Sequence, residues 1–311
     1  MNHAVIDLGS NSVRLSVYEY RDGQIAKVFS RKEIVGLAGY VSKGVLDLAG
    51  VRMACDVLNA FKHDAVNFVE RGNIHLFATA SLRNISNRDE VVAKIAEETT
   101  LAPDVLDGNE EEALGFAGAS RFTVCDNGVM IDIGGASTEL VLFKEGAVTD
   151  LVSLPIGCLN LSLDYVGEVI PNARELRKIK AEIKERFASI GWGKNNRGPL
   201  MVGIGGTLRA VAKLSRVLFD LDAEANEINA EHVKVINKRL KTHDGGIYHT
   251  VAKHIPERLL TLSPGVAILN HAIKTFGTET IRVSKYGLRE GYLVNRVLKV
   301  GGGEGERAVD E

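Results

Sequence analysis

The chain has 311 residues, 45% of them hydrophobic and 25% charged, with a formal net charge of −2. Those proportions describe a soluble globular protein long enough for two domains. The near-neutral balance excludes a global basic field that would recruit nucleic acid or an anionic membrane, so any polyanion site must be a local concentration of Lys and Arg. No window approaches the ~20 consecutive apolar residues needed to span a bilayer. The opening MNHAVIDLGS reads as a strand and lacks the layout of a signal peptide. A cytoplasmic protein is expected, with no membrane and no nucleic-acid partner. Cys55, Cys125 and Cys158 form no CxxC pair and sit among apolar neighbours, which predicts buried, reduced thiols.

In chain order, residues 4–18 read as a β-hairpin, Asp22-Gly23 as a turn, and Gln24 to Leu37 as a third strand. The apolar spacing across residues 44–70 predicts a helix. Ile74 to Ala78 is a short buried strand that ends in the small-residue loop Thr79-Ala80-Ser81-Leu82-Arg83-Asn84. A helix is predicted from Asn87 to about Thr99, with Asn87 and Glu90 as a capping box. Another strand runs from Pro103 to Leu106. Gly108-Asn109-Glu110-Glu111-Glu112 then leads into a helix containing Leu114, Phe116 and Ala117. The second half repeats the order, with strands at about 128–134, 138–143 and 147–154 and helices at 159–166 and 173–190. The second of these helices carries mixed charge and reads as a solvated face. A strand at Leu200–Ile204 runs into Gly205-Gly206-Thr207, where a helix starts whose N-terminus could accept an anion. Helices continue to about residue 276. They are followed by a strand at Thr280–Val283, a final helix ending near Lys299, and a Gly/Glu-rich tail from Gly301 expected to be disordered. His243, His249 and His254 do not share a helical face and read as solvated loop residues. Lys234, Lys238, Arg239 and Lys241 read first as a solvated helix face, with a polyanion path as the alternative.

The chain is organised around Ile131-Asp132-Ile133-Gly134-Gly135-Ala136-Ser137-Thr138-Glu139-Leu140 and its near-copy Ile6-Asp7-Leu8-Gly9-Ser10-Asn11-Ser12-Val13-Arg14-Leu15, 125 residues earlier. In both, an apolar strand ends in Asp, a Gly/Ser-rich turn follows, and a second apolar strand begins. Such a repeat indicates a duplicated domain. Glycines let the turn's N–H groups approach a ligand, hydroxyls add donors, and the strand-end Asp suits a cation or a metal-bound water. Two such turns facing each other would clamp a phosphate chain with its Mg²⁺. No GxGxxG follows the first strand and no GxxxxGK[ST] occurs anywhere, which argues against dinucleotide and P-loop chemistry.

With Ala78-Thr79-Ala80-Ser81-Leu82-Arg83, Gly108-Asn109-Glu110-Glu111, Gly205-Gly206-Thr207 and Gly287-Leu288-Arg289-Glu290-Gly291 in the same order, the chain resembles the sugar kinase / heat-shock ATPase / actin superfamily. Within that superfamily it resembles the exopolyphosphatase / guanosine pentaphosphatase family. The resemblance implies an α/β fold of two ribonuclease-H-like domains with mixed sheets and a catalytic cleft between them. The expected domains are 1–122, joined by the C-terminal helix at about 288–300, and 123–287, with 301–311 as the tail. The implied activity is Mg²⁺-dependent release of the terminal phosphate of inorganic polyphosphate. The alternatives are a pppGpp 5′-phosphohydrolase and, from another class, an ATP-dependent kinase or ATPase. Four departures stand out. Ala136 replaces a third glycine, Glu112-Ala113 stand where the family has Ala-Arg, Gly36 replaces the Arg of a Val-Arg-Leu stretch before the first helix, and the sequence stops near residue 300 where longer members carry additional C-terminal helical domains.

By resemblance, Glu111 is the expected general base, with Glu110 as runner-up. Gly9, Ser10, Asn11, Ser12 and Arg14, with Gly134, Gly135, Ser137 and Thr138, are the expected phosphate contacts. Arg83 is expected to be a direct phosphate cation. Gly205, Gly206 and Thr207 form a third loop for nucleotide or phosphate chain. Asp132 and Glu139, with Asp7 as a further candidate, are the expected ligands of Mg²⁺ or Mn²⁺; a monovalent cation and a homodimer are further expectations. The expected substrates are inorganic polyphosphate and guanosine penta- or tetraphosphate.

Overall fold

A computed structural model describes residues 1–121, 126–192 and 196–300. Cys125, part of the polar loop near residue 194 and the predicted tail fall outside them. The first half forms β1 (Asn2–Leu8), β2 (Ser12–Arg21), β3 (Gln24–Ile34), a small pair β4 (Val41–Ser42) and β5 (Val45–Leu46), and α1 (Leu48–Ala65). Asp47 caps α1 by accepting from the Gly50 N–H at 2.8 Å. Then come β6 (Ile74–Ala78), the short α2 (Ala80–Arg83), α3 (Arg88–Thr99), β7 (Asp104–Val105) and α4 (Gly108–Ser120). The second half forms β8 (Gly128–Ile133), β9 (Thr138–Lys144), β10 (Ala147–Leu154), α5 (Cys158–Tyr165), α6 (Ala173–Ala188), β11 (Leu200–Ile204) and α7 (Gly205–Phe219). It continues with β12 (Glu227–Asn229), α8 (Ala230–Lys241), α9 (Gly245–His254), α10 (Leu262–Phe276), β13 (Thr280–Val283) and α11 (Leu288–Tyr292).

The fold is α/β with two mixed sheets. The first has the order β3-β2-β1-β6-β7 and the second β10-β9-β8-β11-β13-β12. Each begins with a three-stranded antiparallel meander and continues with two parallel strands, to which the second sheet adds β12, antiparallel to β13. The duplication is visible in the register: Asp7 pairs with Arg14, and Asp132 pairs with Glu139 at the equivalent rung. Three local expectations are corrected. Asn87 precedes α3 but makes no capping bond, because its side-chain amide is spent on the N–H and carbonyl of Leu46. β12 lies in a stretch read as helix; as a three-residue strand pairing only with β13, it is too short to leave a period-2 signal. His249 and His254 belong to α9, not to a loop.

Strand alternation decides which residues face the interior of each half and which face the other half. In β1, Ala4, Ile6 and Leu8 join a core with α1 and α3, whereas Val5 packs with Tyr18, Phe77, Leu114 and Leu293. In β8, Val129, Ile131 and Ile133 join the helical core of the second half, whereas Met130 packs with Ala119, Val141 and Val202. Asp7 and Asp132 continue the odd-numbered Val5 series and the even-numbered Met130 series respectively, so both project toward the region between the sheets. The helices that fill that region are exchanged. Ala119 and Phe116 of α4, from the first half, lie against the second sheet, and Tyr292 and Leu293 at the end of the chain lie against the first. The two helices cross at glycines: a Cβ on Gly118 would sit 2.0 Å from the Gly287 carbonyl oxygen, and one on Gly291 1.8 Å from that of Leu114.

Candidate active site

The two Gly/Ser-rich turns are built alike. Gly9 N–H donates to the Ser12 carbonyl at 3.2 Å, and Gly134 N–H donates to the Ser137 carbonyl at 2.9 Å. The carbonyl that ends each first strand is capped by a hydroxyl from the next parallel strand–helix junction. Ser81 caps Leu8, and Thr207 caps Ile133 at 2.7 Å. The N-terminus of α5 pins the second turn, with Cys158 N–H donating to the Gly134 carbonyl at 2.9 Å and Leu159 N–H to that of Gly135 at 2.8 Å. The turns meet: a Cβ on Gly135 would lie 3.3 Å from the Cβ of Asn11. Gly205, at φ +82°, lies beneath Asp132, where any side chain would strike the carboxylate.

One cavity gathers Asp7, Gly9, Ser10, Asn11, Ser12, Arg14, Glu111, Asp132, Gly134, Gly135, Ser137, Glu139, Gly205, Gly206 and Thr207. Three expected residues are not among its lining. Arg83 lies outside that lining: its guanidinium donates to Glu111 Oε2 at 2.7 Å and to the Leu106 carbonyl at 3.1 Å, which ties it to that carboxylate. Thr138 is fully buried and donates to the Ile156 carbonyl at 2.7 Å. Glu110 closes the capping box of α4 with Asp107 and pairs with Arg296. Glu111 is thus the glutamate of the three that reaches the cavity, while Glu112 is buried with both carboxyl oxygens unpartnered.

The sequence reading missed most of the cations. Arg209 on α7, Arg258 and Arg289 line the cavity together with Arg14. Arg289 sits inside the closing Gly-Leu-Arg-Glu-Gly stretch, and Arg209 two residues beyond Gly-Gly-Thr, so both had a local signal; Arg258 had none. Lys32, opposite Arg14 across β2 and β3, is pushed down to about 8 by burial and by Arg258 and Arg14. Burial, with Arg289 and Arg209 nearby, presses Arg14 down to about 10. Four guanidiniums line one recess, a concentration of positive charge suited to an anion.

The carboxylates are desolvated in turn. Burial raises Asp7, and it raises Asp132 to about 6 against the pull of Arg209. Burial and then Glu111 and Asp132 raise Glu139 well above its ordinary value. Glu139 accepts from the Ser153 hydroxyl at 3.0 Å. Burial lifts Glu111 to about 7, with Arg83 opposing and Asp132 and Asp7 adding to the rise. Among the described residues, no three or more His, Cys, Asp or Glu side chains form a group that could hold a metal alone. Mg²⁺ takes one or two protein carboxylates and completes its shell with water and phosphate oxygens. Asp132 and Glu139, partners on one rung of the β8–β9 ladder and charged only at a desolvation cost, fit such an ion.

The Ppx/GppA phosphatase family profile matches residues 16–300. The chain belongs to the Ppx/GppA phosphatase family. A Ppx/GppA family member from Aquifex aeolicus has 25% identity and a TM-score of 0.75, covering 97% of this chain and 99% of that one. An exopolyphosphatase from Cytophaga hutchinsonii, at 21% identity, has a TM-score of 0.84 over 96% of this chain and 98% of its own; this likeness bears on the fold, which is the actin-like one. Among curated relatives, a guanosine-5′-triphosphate,3′-diphosphate pyrophosphatase of Vibrio cholerae is 26% identical over 307 residues. The match takes in 95% of this chain and 59% of that relative, so this Ppx/GppA chain spans little more than half the length of the curated protein. A bifunctional 3-dehydroquinate synthase/phosphatase of Fusobacterium nucleatum is 27% identical over 296 residues, which are 44% of its length.

Proposed function

We propose that this Ppx/GppA chain is an exopolyphosphatase, which hydrolyses the terminal phosphoanhydride bond of inorganic polyphosphate. The observation that carries the reading is the cavity itself, where two equivalent glycine turns in contact, four arginines and a glutamate at a helix start face one space. The N–H groups of the turns and the guanidiniums of Arg14, Arg209, Arg258 and Arg289 suit phosphoryl oxygens and the charge that gathers on them in the transition state. Glu111 is the base that takes the proton of the attacking water at its carboxylate, and Arg83 fixes the orientation of that carboxylate. Mg²⁺, when bound by Asp132 and Glu139, supplies charge neutralisation on the phosphates.

A second reading, pppGpp 5′-phosphohydrolase, is favoured by the name of the Vibrio relative and uses the same residues. The described cavity lining contains no Phe, Tyr or Trp on which a base could stack, which favours a ligand made of phosphates alone. Phosphate release is measured with long polyphosphate, tripolyphosphate, pppGpp and ATP side by side, each with Mg²⁺ and with chelator. Release from polyphosphate that stops with chelator is the expected result. Release mainly from pppGpp selects the second reading, and turnover of ATP alone would overturn both.

A further inference from the structure

Away from the cavity, α8 and α10 lie side by side. Ala230 N–H at the start of α8 donates to the Glu279 carbonyl just beyond α10 at 2.8 Å. At the other end, the Tyr248 hydroxyl donates to the Leu240 carbonyl at 3.1 Å and meets Ser263 Oγ at 3.3 Å. The two helices are therefore antiparallel, and the groove between them opens into a cavity of about 340 Å³. That is the lower end of the roughly 300–1,000 Å³ range of small-ligand sites.

The lining has a polar floor and a cationic wall. Asn237 and Asn270 are each 7% exposed, and neither side-chain amide makes a hydrogen bond within the described protein. Lys234, Lys238, Lys241 and Lys274 surround them, with Thr242 and no acidic residue. Glu231 pairs with Lys234, but Lys238, Lys241 and Lys274 have no carboxylate partner among the described residues. Burial and the charges of Lys180 and Lys274 lower Lys241, and His271 is lowered by burial and by Lys274, Lys180 and Lys184. Lysines in the last turn of a helix complement its dipole, which accounts for some of them. It does not account for two largely buried asparagines whose amides bond to nothing in the described protein and stay open to the groove. Gly265 of α10 abuts Thr207 at the catalytic cavity, and Lys274 lies nine residues further on, about 14 Å along the helix. The groove is thus separate from the cleft.

We propose that the α8–α10 groove is a second, non-catalytic binding site for a run of linked phosphates, with the lysines holding the charges and Asn237 and Asn270 donating to phosphate oxygens. The ligand class rests on the polyphosphate reading above, and the test is separate from hydrolysis. The full chain carrying Glu111→Gln is titrated calorimetrically with tripolyphosphate, with GTP in parallel because it carries the same three phosphates. Two binding events for tripolyphosphate are expected. One should weaken at least tenfold in a Lys238→Ala/Lys241→Ala/Lys274→Ala background and persist when the same lysines are changed to arginine. In the chain with Glu111 intact, the alanine variant should keep phosphate release from tripolyphosphate at saturation. A single event untouched by the lysine changes would overturn the site, as would a second event seen with GTP and absent with tripolyphosphate. No hydrolysis of any substrate, with the lysine-dependent event intact, would instead remove the catalytic reading and leave this one standing.

Discussion

At the scale of single residues, Arg83 and Glu111, which the sequence reading gave separate roles, form one ion pair. Both are largely buried, the 2.7 Å contact ties the Arg83 guanidinium to the Glu111 carboxylate, and Arg83 is not among the residues that line the cavity. Glu111→Gln is expected to lower turnover by ~10²–10⁴, the range for a lost general base, while Glu110→Gln, at a capping position, stays near wild type. Phosphate-release assays on the two variants check this, and a wild-type rate for Glu111→Gln would sink the assignment. Arg83→Ala should lower kcat with little change in KM; a raised KM at unchanged kcat would return Arg83 to the phosphates. Glu112 makes a prediction about stability. Burial and Glu111 push it up to about 8 from an ordinary 4.5. Between those values the folded state keeps a proton that the unfolded chain has lost, so the contribution to stability is full below pH 4.5 and falls as pH rises toward 8. Glu112→Met should therefore be close to neutral at pH 5 and stabilising by about 1–3 kcal/mol at pH 8–9. Denaturant titrations at the two pH values would contradict this if the difference were absent.

At the scale of elements, the crossing of α4 and α11 positions the chemistry. Glu111 stands in the first turn of α4 and Arg289 on α11, and the two helices can approach because Gly118, Gly287 and Gly291 carry no side chain at the contact. Gly291→Ala would place a methyl group 1.8 Å from the Leu114 carbonyl oxygen. The helices must separate, at a cost of about 1–3 kcal/mol or more for overpacking, and Glu111 and Arg289 should shift with them. Loss of stability together with loss of kcat is expected, whereas Gly39→Ala, with nothing within 4 Å of its Cβ, should change neither. A Gly291→Ala chain as stable as wild type would refute the close crossing.

At the scale of the whole molecule, two similar sheets face a shared cleft whose lining is contributed by both halves. Four arginines line it, and a bound phosphate chain is expected to draw the two glycine turns together. Closure on ligand is expected, as in other hinge-closing two-lobed proteins. Small-angle scattering should show a smaller radius of gyration with Mg²⁺ and tripolyphosphate on the Glu111→Gln chain; an unchanged curve would mean a rigid cleft.

The sequence by itself determined the duplication, because the strand–Asp–glycine turn is a local pattern and both copies carry it in full. It therefore also determined the two mixed sheets, the turns that line the cavity and the carboxylates at their ends, since strand alternation carries Asp7 and Asp132 to one side without further information. Short elements and side-chain partners were decided only in three dimensions. β12 is held by its pairing with β13 and leaves no period of its own. Asn87 spends its amide on a strand 41 residues away instead of on its own helix. Arg83 and Arg258 could not be placed from the chain because a guanidinium's role depends on which carboxylate or cavity it meets, and those neighbours come from distant segments. Tertiary packing alone decided which of three consecutive glutamates faces the cleft: one is spent on the helix cap, one is buried, and Glu111 remains.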